Sequence, residues 1–304
     1  MNAEYPLHVK AENRFSSTIS SRMSSKRFRQ WTTKAFVYLA LTIFGVAFLF
    51  PLIWMLLTAL KTNDQIFGDV WLPNPIVWRN FPDAVKHIRF GQYALNTIFV
   101  CAVDILGMLF SCTLTAYGFA RIKWPGRNVL FAIMLSTLML PFQATMVPLY
   151  ILFRSMNLVG RPGLLHYAPL LIPPFFGSAF FIFLLRQFFM GIPEDLADAA
   201  RCDGAGELGI LWRVIVPLSK PAIVTVALLS FMWTWNDFLW PLIVIHDEFR
   251  YTLSLGLQQY AKAHGYAWGL LCAAATIVVT PVIILFLFAQ RTFIEGITLT
   301  GIKG

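Results

Sequence analysis

Six stretches of this chain are apolar over about twenty residues each, and this repetition constrains it more than any other feature. A helix crossing about 30 Å of hydrocarbon needs roughly that many apolar residues, because its backbone polar groups find no water there and must pair within the segment. The runs lie near 35–60, 94–120, 129–153, 164–190, 221–245 and 270–290 of the 304 residues. They predict an all-α polytopic membrane protein with six transmembrane helices in a domain spanning 35–290, between a basic tail at 1–34 and a short tail at 291–304. The composition, 58% hydrophobic and 13% charged, excludes a soluble globular domain, for which about half and a quarter are usual.

The charges set the orientation. The first 34 residues are Ser-rich and carry seven Lys and Arg with no early apolar stretch, so they read as a cytoplasmic tail and not a cleaved signal. With that tail inside, the later inner segments carry three, four and two basic residues, and the outer loops four, two and two. The positive-inside rule then places both termini in the cytoplasm of a multi-pass protein. The net charge of +9 is a topology signal set among membrane lipid, and a nucleic-acid partner is excluded because the chain has scarcely any polar folded surface to present it on. The outer stretch 61–93, with Pro73, Pro75, Pro82, Trp71 and Trp78, suits an irregular or short-helical interfacial cap.

Polar groups inside the spans are the candidate pathway residues. On span two, Thr97, Cys101, Asp104, Ser111 and Thr115 fall on one helical face. A lone carboxylate at mid-membrane costs about 2.5–3.5 kcal/mol, so Asp104 must face a water-filled path or a partner helix. Gln143, Asn236 and Asp237 pose the same choice. The last two lie in the run from Trp233 to Trp240, whose aromatics suit either an interfacial belt or a sugar-stacking platform. Spans three and four hold Pro141, Pro148, Pro169, Pro173 and Pro174, and such breaks survive where they pack against other helices or line a cavity.

The loop 191–217 is the most informative. Pro193 suits a first helical position, Glu194 and Asp195 the positive end of the helix dipole, and Gly204 a left-handed stop. A second amphipathic helix, with Leu208, Leu211, Trp212 and Ile215 at helical spacing, is expected to end before Pro217. Such a helix–turn–helix either lies on the membrane surface or docks in another protein's groove. Gly204, Gly206 and Gly209 formally match a dinucleotide fingerprint, but no strand precedes them. There is no Gly-x4-Gly-Lys-Ser/Thr sequence, and the five histidines lie near no nucleophile motif, so neither ATP hydrolysis nor catalysis belongs to this chain.

Asp198-Ala199-Ala200, followed at the family's spacing by Gly204 and by Val214-Ile215-Val216-Pro217, resembles the EAA motif of ABC import permeases. The departures, Asp for Glu and Val for Ile and Leu, are conservative. With the Leu140-Pro141-Phe142-Gln143 region, the Trp235–Pro241 run and the ending Phe293–Gly304, the chain is similar to the carbohydrate branch, and within it to the second permease of maltose-type and glycerol-3-phosphate-type importers. The resemblance implies a type I importer fold in the bacterial inner membrane and import of an oligosaccharide or disaccharide, with glycerol-3-phosphate or another polyol phosphate as the alternative. It implies a homologous permease, a pair of ATPase subunits that bind ATP and Mg, and an extracytoplasmic sugar-binding protein as partners, with no cofactor in this chain. It also implies a coupling role for Glu194, Asp198, Ala199, Ala200, Asp203, Gly204 and Pro217. A proton-coupled transporter using Asp104 as relay leaves the docking loop unexplained, and a membrane-embedded enzyme lacks a catalytic constellation.

Overall fold

The computed structural model describes the backbone of residues 7–263 and 267–298, and side chains within 31–260 and 267–290. Among the described residues every regular element is helical. The chain divides into two compact units, 1–57 and 58–304. The first is a single helix from Leu7 with Pro51 inside it, of which the part from Trp31 is apolar enough to span a membrane.

Among the described residues, four segments are each long and apolar enough to cross a membrane, Trp31–Ala59, Phe90–Ala120, Gly163–Met190 and Trp268–Gln290, and counting each of two bent helix pairs as one span gives six. The first pair, Arg127–Met139 with Phe142–Ser155, bends by 101° within the stretch expected as span three. Its cause is Pro141, whose ring drives the preceding Leu140 out of the helical region to ψ 118. The second pair joins Glu207–Leu218 to Lys220–Asn236 at 82°. Lys220–Asn236 forms most of span five, which stops where Asp237 adopts ψ 120 and resumes as Leu239–Val244.

Span two is the hub of the second unit: it packs against span five, against Ala179–Met190 of span four and against the turn Pro173–Phe176. Span four is broken by Pro173 and Pro174 and by Gly177 at φ 79. Its carbonyls are nevertheless met by neighbours. Pro173 has no N–H to offer the carbonyl of Pro169, and the Trp240 indole N–H donates to it instead, at 3.0 Å. The Ser111 hydroxyl lies 2.8 Å from the carbonyl of Pro174. Packing against other helices therefore repairs these breaks.

The stretch expected as a mixed outer loop contains a helix, Leu253–Ala263. It is pinned to the start of span two: Leu253 N–H donates to Thr97 Oγ1 at 2.8 Å, and Tyr93 Oη donates to Gln259 Oε1 at 3.1 Å. Gly256 permits this approach, since a Cβ there would stand 2.4 Å from Tyr93 Cδ2. The 61–93 cap contains the short helices Asn63–Ile66 and Asn80–His87, with Asn80 Nδ2 donating to the carbonyls of Ala59 and Lys61.

Candidate functional site

At one end of the second unit, the 191–217 loop forms a compact projection. Pro193, extended at ψ 136, precedes the helix Glu194–Cys202, one position earlier than expected, and Glu194 and Asp195 fill its first turn. The helix ends at Gly204, φ 82, with Gly204 N–H donating to Arg201 O at 3.0 Å and Ala205 N–H to Ala200 O at 2.9 Å. The turn thus uses the backbone freedom that glycine has and other residues lack.

The second helix does not end before Pro217. It runs from Glu207 to Leu218 through a π-helical segment, Leu211–Ile215, whose wider turn accommodates the proline ring. Its apolar residues divide between two faces: Ile210, Leu211 and Ile215 are buried in the cluster shared with spans two, four and five, whereas Leu208 and Trp212 are exposed. Glu194, Asp198, Ala199, Asp203, Gly204 and Pro217 are exposed; Ala200 is half-buried against that cluster, so of the expected Ala199–Ala200 contact face only Ala199 is open.

Charged side chains hold the projection together. Arg201 lies 2.6 Å from Asp198 and 3.0 Å from Glu207, and Tyr117 of span two donates its hydroxyl to Glu207 at 2.5 Å. The Arg201 guanidinium, and then the Tyr117 hydroxyl, hold the Glu207 carboxyl below the usual range, and its two carboxylate partners push the guanidinium up. One helical turn beyond Tyr117, Arg121 donates to the carbonyls of Phe189 and Ile192 at the loop's entry. Sequence reasoning missed Tyr117, Arg121, Arg201 and Glu207. The i,i+3 spacing of Asp198 and Arg201 was a usable signal, but Tyr117 lies 90 residues from Glu207 and carried none.

The other candidate residues gather in part around an open cavity of about 590 Å³, lined by Phe142, Met232, Trp233, Thr234, Asn236 and Asp237. Trp233 is 52% exposed and stacks on Phe181 with ring centroids 4.7 Å apart. The other two tryptophans of the run are buried: Trp235 donates to the carbonyl of Val278 and Trp240 to that of Pro169. Of the run's aromatics Trp233 and, to a lesser degree, Phe238 remain open, so the run is neither a uniform belt nor a uniform platform. Asn236 donates to the carbonyl of Met232 at 2.7 Å, and Asp237 Oδ1 accepts from the backbone N–H of Trp240 at 3.4 Å. Gln143 is exposed beside Phe142 but outside the lining.

Asp104 is 8% exposed and accepts a hydrogen bond from Ser230 of span five at 2.5 Å. Thr234, one turn beyond Ser230 on the same helix, lines the cavity. The carboxylate therefore meets a partner helix, as the cost of exposing it to lipid demands. Thr97, Cys101 and Ser111 of the same helical face are buried as well, and Thr115 is half-buried.

Residues 105–298 match the family described as "Binding-protein-dependent transport system inner membrane component". The arabinooligosaccharides transport system permease protein AraQ of Bacillus subtilis is 32% identical over 283 residues, covering 88% of this chain and 96% of AraQ. The sn-glycerol-3-phosphate transport system permease protein UgpE of Yersinia pestis is 29% identical over 276 residues, covering 86% and 95%. A chain in the crystal structure of a bacterial ABC transporter involved in the import of the acidic polysaccharide alginate superposes with a TM-score of 0.73 at 25% identity, covering 96% of this chain and all of the other. An all-helical fold of up to six spans, a helix–turn–helix projection and these likenesses agree: the chain belongs to the binding-protein-dependent inner membrane transport components, as an ABC-importer permease of type I fold and not an enzyme.

Proposed function

We propose that this chain, with a homologous permease, forms the translocation path for an uncharged oligosaccharide or disaccharide handed over by an extracytoplasmic binding protein. One observation carries the choice of cargo: the cavity offers the exposed Trp233 ring beside the hydrogen-bonding Thr234, Asn236 and Asp237, and none of its six lining residues is cationic. An aromatic face suits the apolar side of a sugar ring, and the three polar groups suit its hydroxyls. A phosphate or uronate would meet the Asp237 carboxylate with no counter-charge, and like-charge juxtaposition costs several kcal/mol.

In this reading both termini are cytoplasmic, as the distribution of Lys and Arg supports, and the 191–217 projection docks in a groove of two ATPase subunits that bind ATP and Mg. Glu194, Asp198, Ala199 and Asp203 form its exposed face, Gly204 its turn and Pro217 its return to the membrane. Closure of the ATPases moves the docked loops, and the spans rock to expose the cavity to the binding protein. The complete importer in proteoliposomes tests this. ATP-driven uptake of a neutral oligosaccharide, lowered by Trp233→Ala and by Asp237→Lys, is the expected result. Uptake of glycerol phosphate that is indifferent to both substitutions, or uptake driven by a pH gradient without ATP, refutes it.

A further inference from the structure

We propose that Tyr117 is a positioning residue of the power stroke: through Glu207 and Arg201 it clasps the 191–217 loop to span two, so that displacing the loop displaces the helix that carries Asp104. The proposal rests on the reading of this loop as the ATPase-docking element.

The geometry is that of a grip from two sides. Arg201 Nε meets Glu207 Oε1 at 3.0 Å and its Nη2 meets Oε2 at 3.5 Å, while the Tyr117 hydroxyl donates to Oε2 at 2.5 Å. Arg201 also holds Asp198 at 2.6 Å, which ties the first loop helix into the same cluster across the Gly204 turn. Hydrogen bonds to an ionised acceptor are stronger than neutral ones and fix direction as well as distance. Tyr117 itself is 3% exposed and sits in the apolar cluster, where a phenylalanine ring would pack as well. What the hydroxyl adds is its bond to the loop.

A second strap lies on the same helix. Arg121, four residues on, donates to the carbonyls of Phe189 and Ile192, so span two holds the loop's entry as well as its far side beyond Gly204. The first loop helix is thereby fastened to span two at both ends, and span two reaches from this clasp to Asp104 and its partner Ser230 on span five. A rigid helix fastened in this way transmits displacement that an apolar contact alone would let slip.

The test uses the complete importer in proteoliposomes with Tyr117→Phe, Glu207→Ala and the double variant, measuring sugar transported per ATP hydrolysed, subunit abundance and ATPase co-purification. Each single variant is expected to retain abundance and co-purification while sugar per ATP falls about fivefold or more, the range of a coupling free energy between sites. The double variant is expected to fall no further than the worse single one. An unchanged ratio in Tyr117→Phe, or losses that multiply in the double variant, overturns the clasp. If Tyr117→Phe lowers abundance, Glu207→Ala, at an exposed side chain, carries the same test. The exposed thiol of Cys202 separates this proposal from the one beneath it. Cys202 protected from a water-soluble maleimide by the ATPases, with a normal ratio in Tyr117→Phe, sinks the clasp alone. Equal labelling with and without the ATPases sinks the docking reading and the clasp together.

Discussion

Replacing Gly204 by two different residues separates backbone strain from lost docking. At φ 82 an L side chain costs about 1–2 kcal/mol, with valine penalised fully and asparagine much less, because asparagine visits this region at lower cost. A Cβ at Gly204 meets nothing within 4 Å, so in the isolated subunit there is no packing cost to add. Against a total stability of about 5–15 kcal/mol, both variants should fold, insert and keep the bonds that close the turn. In the proposed docking, any larger loss arises where the new side chain meets the ATPase. Gly204→Asn and Gly204→Val are therefore both expected to reach the membrane at near-normal abundance and to lose ATPase co-purification and binding-protein-stimulated ATP hydrolysis by tenfold or more, equivalent to about 1.4 kcal/mol of lost contact. Loss in the valine variant alone would assign the effect to strain. Normal assembly and coupled hydrolysis in both would refute a role for this turn in transmitting the power stroke.

Asp104→Asn keeps an acceptor for Ser230, so uptake should fall more than subunit abundance; equal losses would make the pair structural only. Gly256→Ala forces a methyl group against the fully buried Tyr93 ring and should cost about 1–3 kcal/mol, read as a lower melting temperature in detergent, with an unchanged melt counting against the contact. Because the Glu207 carboxyl is held below its ordinary 4.5, the clasp's contribution is fully present above that value and is lost only as pH falls below it. Sugar transported per ATP should therefore show no Glu207-dependent step between about pH 5.5 and 8, and a wild-type step in that window that Glu207→Ala removes would contradict the assignment. Cysteines placed at Ser20 and Lys262, which lie outside the residues whose side chains are described, should be protected and reactive respectively toward an impermeant thiol reagent added outside, and the reverse pattern would overturn the topology.

The spans, the turn at Gly204 and the burial of Asp104 were legible in the sequence because each follows from a local rule: run length, a glycine after a helical pattern, a charge in an apolar face. Hydropathy counts residues without following their direction, so it marked span three and the proline within it but gave no sign that the bend at Leu140–Pro141 reaches 101°. The helix Leu253–Ala263 was hidden because its apolar positions are divided among three buried clusters, Leu255 in one, Tyr260 in a second and Leu253 in a third, and the helix never reaches spanning length. Pro217 was misjudged as a stop, since a proline ends an α-helix but can follow a π turn. The clasp is the sharpest omission: Glu207 and Arg201 read as ordinary loop charges, and only the fold brings Tyr117 to them.

The indole of Trp240 standing in for the N–H that Pro173 lacks ties two distant positions together in one direction. A lineage that loses the tryptophan while keeping the proline leaves the Pro169 carbonyl without that donor, whereas one that regains an N–H at 173 leaves the carbonyl served twice, because its oxygen has two lone pairs. Chains that keep the proline should therefore keep the tryptophan, and chains that lose the proline are free to lose the tryptophan afterwards. One hydrogen bond thus sets the order in which the two substitutions can accumulate, whatever cargo each descendant carries.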